Sequence, residues 1–176
     1  TQKIRKLVGL ARHSDIMVAV DDPDNVDNLS LAAGNVGVNL RVLIEVDIGM
    51  GRCGVASGKP VLDLAQKILK SKHLEFCGIM GYEGHTVVIP DFDERKQKTE
   101  ESLAFLSESK DLLERNGINV EIVSGGGTGT YNITGQYPCM TEIQAGSYIV
   151  MDAFYNNVVA EFDCALTILA TVVSKP

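Results

Sequence analysis

The chain has 176 residues, 45% of them hydrophobic and 22% charged, which is enough apolar material for a real core and a length suited to one domain or part of a larger one. A formal charge of −7 argues against a nucleic-acid backbone as partner, because proteins that bind one carry basic patches. No apolar run approaches the roughly 20 residues that span a bilayer, no signal peptide opens the chain, and Cys53, Cys77, Cys139 and Cys164 form no Cys-x-x-Cys pair. The expectation is a cytoplasmic protein with no membrane segment, zinc knuckle or disulfide framework, and with most of its thiols buried.

In chain order, Ile4, Leu7, Val8 and Ala11 recur at helical spacing, so residues 1–12 read as a helix that starts without a cap. Residues 15–20 read as a strand. Asp22 and Pro23 supply an N-cap and a first-turn proline for a helix with Val26, Leu29 and Ala33 on one face. Residues 40–47 form a second apolar strand ending in Glu45-Val46-Asp47, followed by a loop over 48–55 that holds Arg52. Pro60 opens a helix with Val61, Leu62, Ala65, Ile68 and Leu69 in register.

The third strand, 76–82, runs into Tyr82-Glu83-Gly84-His85, and a long helix over about 91–115 buries Leu103, Leu106 and Leu113 before stopping at Gly117. A fourth strand, 119–123, opens into Ser124-Gly125-Gly126-Gly127-Thr128-Gly129-Thr130. A β-branched run that stops in glycines and hydroxyls reads as a loop whose backbone approaches something closely. Three glycines able to take positive φ can turn several N–H groups into one nest, with Ser124, Thr128 and Thr130 adding hydroxyls, and an anion such as phosphate is the natural guest. A tight loop that only needs positive φ is the competing reading. The motif is neither a P-loop nor the Gly-x-Gly-x-x-Gly fingerprint. A fifth strand is expected around 142–150, and the alternating run 164–174 reads as a strand leading elsewhere.

Strand, polar loop and helix in repetition predict a parallel α/β architecture. Polar residues gather after successive strand ends: Asp47 and Arg52, Tyr82 and His85, Ser124 and Thr128, Gln144 and Ser147. That rim is where a (β/α)₈ barrel does its chemistry, with phosphate held by late βα loops. A full barrel needs about 250 residues, so about five strands predict part of a TIM barrel. Residues 1–160 are assigned to it, and 161–176 to the start of a strand leading to another domain.

Four ordered stretches carry a family resemblance. Residues 46–55 (Val-Asp-Ile-Gly-Met-Gly-Arg-Cys-Gly-Val), 81–85, 124–131 and 141–152 together resemble the D-threonine aldolase and D-serine dehydratase family. These are pyridoxal-phosphate enzymes with an alanine-racemase-type barrel and a C-terminal β domain. The resemblance covers about residues 15–175 and implies a metal-activated lyase for β-hydroxy-D-amino acids. It places the cofactor's phosphate against Gly125, Gly126, Gly127 and Thr128, with Ser124 beside them, and against Gly146 and Ser147. It sets Arg52 near the phenolic oxygen, where a fixed cation stabilises the anion, and Gln144 where alanine racemases put an arginine against the pyridine nitrogen.

Each assignment has a plainer alternative. Arg52 can be a surface ion pair, Tyr82 a packed aromatic rather than a wall of the cofactor site, and His85 a structural histidine. Asp47 can orient Arg52 or cap its own turn, and Tyr148 can lie near the phosphate or in the core.

The resemblance also implies a Schiff-base lysine on the first barrel strand, upstream of these residues. The lysines here fall on helices or in loops, so no catalytic residue is assigned within the chain. The divalent metal's ligands are likewise expected outside it, since His13, His73 and His85 form no His-x-Cys pair. The chain is therefore expected to be an inactive fragment of a homodimeric enzyme. A pyridoxal-phosphate carrier protein and a sugar-phosphate-binding barrel stand as alternatives.

Overall fold

The computed structural model describes residues 1–175. It opens with α1 (Gln2–Leu10), which does have a cap: the Thr1 hydroxyl accepts the Ile4 N–H at 3.4 Å, as a hydroxyl before the first helical residue readily does. After β1 (Met17–Val20), the Asp22 carboxylate accepts the Asn25 N–H at 2.7 Å and starts α2 (Pro23–Val36), which Gly37 ends in the left-handed region. Next come β2 (Leu40–Asp47), a two-residue β3 (Val55–Ala56), α3 (Lys59–Lys70) and β4 (Leu74–Met80). Asp91 caps α4 (Phe92–Arg115) through the Glu94 N–H, and beyond its end Gly117 sits at φ +75° while the Ile118 N–H returns to the Leu113 carbonyl. The chain then runs through β5 (Ile122–Gly125), the single turn α5 (Tyr131–Thr134) and β6 (Glu142–Ile143).

All the strand pairs are parallel, in the order β1-β2-β4-β5-β6 with β3 beside β2. This is the alternating β/α arrangement of a (β/α) barrel wall. The helices cover the sheet with the faces their spacing predicts, except on α3, where Leu69 is exposed and Leu64 is buried in its stead. Val26, Leu29 and Ala33 of α2, Val61, Ala65 and Ile68 of α3, and Leu103, Leu106 and Leu113 of α4 are buried in one cluster with Val42, Ile44, Ile79 and Val123 of the strands. Parallel strands all end on the same side, so the loops after β2, β4, β5 and β6 share one rim.

Three expectations need correcting. The fifth strand pairs only through Glu142 and Ile143, after which the backbone turns and makes a 3₁₀ turn over Ser147–Ile149. The run 164–174 forms no ladder, because no strand among the described residues lies beside it to exchange hydrogen bonds. Beyond the Ala165 and Leu166 N–H groups, which donate to the Val150 carbonyl, its apolar side chains stand in solvent, Leu169 being 99% exposed. Of the four thiols only Cys77, on β4, is buried; Cys53 and Cys164 are exposed on loop and terminal run, and Cys139 is half-buried.

Candidate functional site

The glycine loop departs from β5 against residues 81–87, which leave β4. Its glycines serve that contact more than a left-handed nest: of Gly125, Gly126, Gly127 and Gly129 only Gly126 has positive φ, at +79°. A Cβ on Gly125 would press on the Gly81 carbonyl, one on Gly127 would meet Val87 and Tyr82, and one on Gly129 would run into the Val87 carbonyl. Alternate glycines thus let two backbones lie side by side.

A residue to which the sequence alone assigns no role organises this contact. Glu83 is fully buried, and its carboxylate accepts the Gly126 N–H at 3.0 Å, the Thr130 hydroxyl at 2.8 Å and the Thr134 hydroxyl at 2.7 Å. Thr130 Oγ1 in turn accepts the Gly127 N–H at 3.1 Å. Two of the loop's N–H groups are therefore committed inside the protein. The only signal in the sequence is a carboxylate between Tyr82 and Gly84 at a strand end, whose partners lie 43 to 51 residues away.

Thr128, expected in one phosphate site with Ser147, meets the residue that follows Ser147. The Tyr148 N–H donates to Thr128 Oγ1 at 3.0 Å, tying the glycine loop to the loop after β6 and leaving the Thr128 hydroxyl its own proton to donate. Among the described residues the N–H groups of Thr128, Gly129, Ala145, Gly146 and Ser147 have no protein acceptor. Tyr148 itself is 45% exposed rather than in the core. Its ring and that of Tyr131 flank Phe162, with centroids 5.7 and 5.4 Å away, around an apolar cavity of about 260 Å³ that Thr128, Ile143 and Ala145 also line.

Ser124 is buried, and its hydroxyl is engaged by both neighbours on β6 and beyond: it donates to Glu142 and accepts from Gln144 Nε2 at 2.9 Å. Gln144 is thereby anchored at the rim. Arg52 lies with its guanidinium 5.5 Å from the centroid of the Tyr82 ring and 3.7 Å from Glu45. It is half exposed, so the ion pair anticipated as the plainer reading is present, together with a cation–π contact on Tyr82. Burial, more than the neighbouring Tyr155, pushes the Tyr82 phenol up, so the hydroxyl stays protonated. The Tyr82 ring therefore bridges Arg52 and the glycine loop.

His85 is exposed and sits against Gly49 and α4, with Nε2 3.3 Å from the Ser102 hydroxyl. Asp47 caps its turn. Its Oδ1 accepts the Gly49 and Gly51 N–H groups, each at 3.0 Å, and these bonds, Gly51's first, hold the carboxyl below its ordinary 3.8. A lowered folded value means that the stabilisation is complete above the unfolded value and is lost as pH falls through the folded one. Asp47→Ala should therefore lower the urea midpoint at pH 7 and have a smaller effect at a pH well below the ordinary 3.8. Equal loss at both pH values would refute this account of the turn.

The lysines lie away from the strand ends. Lys3 and Lys6 are on α1, Lys59, Lys67 and Lys70 on α3, and Lys96, Lys98 and Lys110 on α4, while Lys72 follows α3 and Lys175 lies in the terminal run. Among the described residues no group of three His, Cys, Asp or Glu side chains is placed to hold a metal ion.

This arrangement has known counterparts. The family model described as the alanine racemase N-terminal domain matches residues 3–153. The chain is 36% identical over 182 residues to a 3-hydroxy-D-aspartate aldolase of Paracoccus denitrificans (strain Pd 1222), an alignment covering 98% of this chain and 47% of that protein. It is 35% identical over 178 residues to a D-threonine aldolase of Arthrobacter sp., covering 99% and 47%. Among solved structures, the D-threonine aldolase from Filomicrobium marinum aligns with a TM-score of 0.90 at 32% identity, over 93% of this chain and 46% of that one. The chain spans about half the length of the curated relatives it matches.

Proposed function

Because the chain belongs to the alanine racemase N-terminal domain family, we propose that it forms part of the pyridoxal-phosphate-binding barrel of a lyase that acts on β-hydroxy-D-amino acids. The observation that carries the reading is the junction of the two late loops. The Tyr148 N–H on Thr128 Oγ1 brings the backbone N–H groups of Thr128, Gly129, Gly146 and Ser147 to one part of the rim without protein acceptors of their own. Several donors without protein acceptors on two joined loops suit a phosphate monoester. The residues present thus fit the cofactor's anionic end.

In this reading the Thr128 and Ser147 hydroxyls and the neighbouring N–H groups hold the phosphate. Ser124, Gly125, Gly126 and Gly127 act as the frame that sets the loop's path. Arg52, steadied by the Tyr82 ring, faces the phenolic oxygen, and Gln144, held by Ser124, faces the pyridine nitrogen. When bound, the cofactor's ring takes up the negative charge left at a substrate's Cα as a bond to it breaks. The chain's own contribution is to fix that ring at both ends and to keep the Tyr82 phenol neutral beside it.

For the whole protein we retain a Schiff-base lysine and metal ligands outside these residues, a D-amino acid substrate, a homodimer and a cytoplasmic location. No helix among the described residues is long and apolar enough to cross a membrane. No role for a metal is derived from this chain, since no cluster among its described residues suits one. A boundary near residue 160 is retained as part of this reading, although Phe162 still packs between Tyr131 and Tyr148 and the hydrogen bonds that hold the described chain end only at Leu166.

The test uses the full-length protein with D-threonine, a 3-hydroxy-D-aspartate and D-serine. Glycine released from the first two, together with bound pyridoxal phosphate visible by its absorbance, is the expected result. Failure to bind pyridoxal phosphate, or binding with no lyase activity on any β-hydroxy-D-amino acid, would overturn the proposal.

A further inference from the structure

We propose that Glu83 is a positioning residue for the cofactor's phosphate, an inference that rests on the reading of the rim given above. A buried carboxylate is costly unless its oxygens are satisfied. Glu83 makes no ion pair with a lysine or arginine among the described residues. Instead, the three side-chain and backbone donors it accepts all belong to the glycine loop and the turn that follows it. Its Oε2 takes the Gly126 N–H directly, and its Oε1 orients the Thr130 hydroxyl, which in turn takes the Gly127 N–H.

Two consecutive glycine N–H groups are thus drawn towards the interior. The turn over residues 127–130 is closed by the Thr130 N–H on the Gly127 carbonyl at 3.1 Å, and the Thr134 hydroxyl ties the end of α5 to the same carboxylate. With those donors committed, the N–H groups of Thr128 and Gly129 are the ones left for a ligand. Glu83 itself is fully enclosed and offers no exposed surface to a ligand. Its effect on the ligand passes through the loop.

A glutamine keeps the shape but replaces one accepting oxygen by a donor, so either Gly126 or the pair of threonines loses its acceptor. The experiment compares, in the full-length protein, equilibrium binding of pyridoxal phosphate with that of pyridoxal, which lacks the phosphate. The wild type should prefer the phosphorylated form. Glu83→Gln should reduce that preference about tenfold or more, the size expected for hydrogen bonds to a charged group, and leave pyridoxal affinity little changed.

Thr134→Val removes one of the three donors at constant volume and should reduce the same ratio several-fold. It decides the matter should Glu83→Gln fail to fold. An unchanged ratio in a folded variant, or equal losses for both probes, would show that Glu83 only stabilises the fold. A wild type without preference for the phosphorylated form overturns the phosphate reading itself and this assignment with it.

Discussion

Gly129→Ala should abolish the native path of the glycine loop, lower stability by about 3 kcal/mol or more, and remove phosphate-dependent binding of pyridoxal phosphate in the full-length protein. The position is buried, and the added methyl would meet the Val87 carbonyl, a backbone atom that cannot rotate aside as a side chain would. Overpacking of this kind forces backbone shifts, and here the shift separates residues 81–87 from the loop that holds Thr128. Gly146 provides the control. It lies in the partner loop, with nothing within 4 Å of where a Cβ would sit and a negative φ of −128°, so Gly146→Ala should leave the urea midpoint nearly unchanged. Matching midpoints for the two alanine variants would refute the account of backbone packing.

Leu106→Ala should cost about 2–5 kcal/mol, the range for a leucine removed from a closed core. Leu106 is fully buried in the middle of α4, and its Cδ2 lies 3.1 Å from where a Cβ on Gly81 would sit, with Ile48 Cγ2 at 3.0 Å. The helix is therefore packed directly beneath the residue that precedes Tyr82 and Glu83. A cavity there removes dispersion contacts and also slackens the base of the segment that carries both residues. Chemical denaturation should show the full loss, and affinity for pyridoxal phosphate should fall in the same variant at temperatures where it remains folded. Leu169→Ala, at a side chain 99% exposed, should be within about 0.5 kcal/mol of wild type. A Leu106→Ala variant as stable as that one would overturn the assignment of the core.

Much of this architecture is legible in the residues. Amphipathic spacing marks α2, α3 and α4, and Asp22 marks the cap of the first of them, because capping and helical periodicity are local properties. The bounds of β2, 40–47, agree between sequence and structure, since a buried parallel strand is a continuous apolar run bounded by polar residues. The family resemblance rests on four stretches that all prove to lie at strand ends on one rim. Short elements are not legible: β3 has two residues, α5 four and β6 two, too few to show a period. The exposure of Cys53 escapes the sequence because it depends on where a side chain points rather than on its neighbours along the chain, whereas the Thr1 cap, a contact with Ile4 only three residues on, is local and legible there.

By itself, then, the sequence determined the class of fold, the order of its elements, the rim on which its polar residues gather and the family to which the chain belongs. These follow from periodicity, capping and ordered motifs, all of which are carried along the chain. Only the tertiary structure decided how the glycine loop is held. That Gly125, Gly127 and Gly129 make room for residues 81–87, that Thr128 meets Tyr148, and that Glu83 gathers Gly126, Thr130 and Thr134 are facts about atoms far apart in sequence. A buried carboxylate finds its partners where the folded backbone delivers donors, and the parallel sheet is what delivers them.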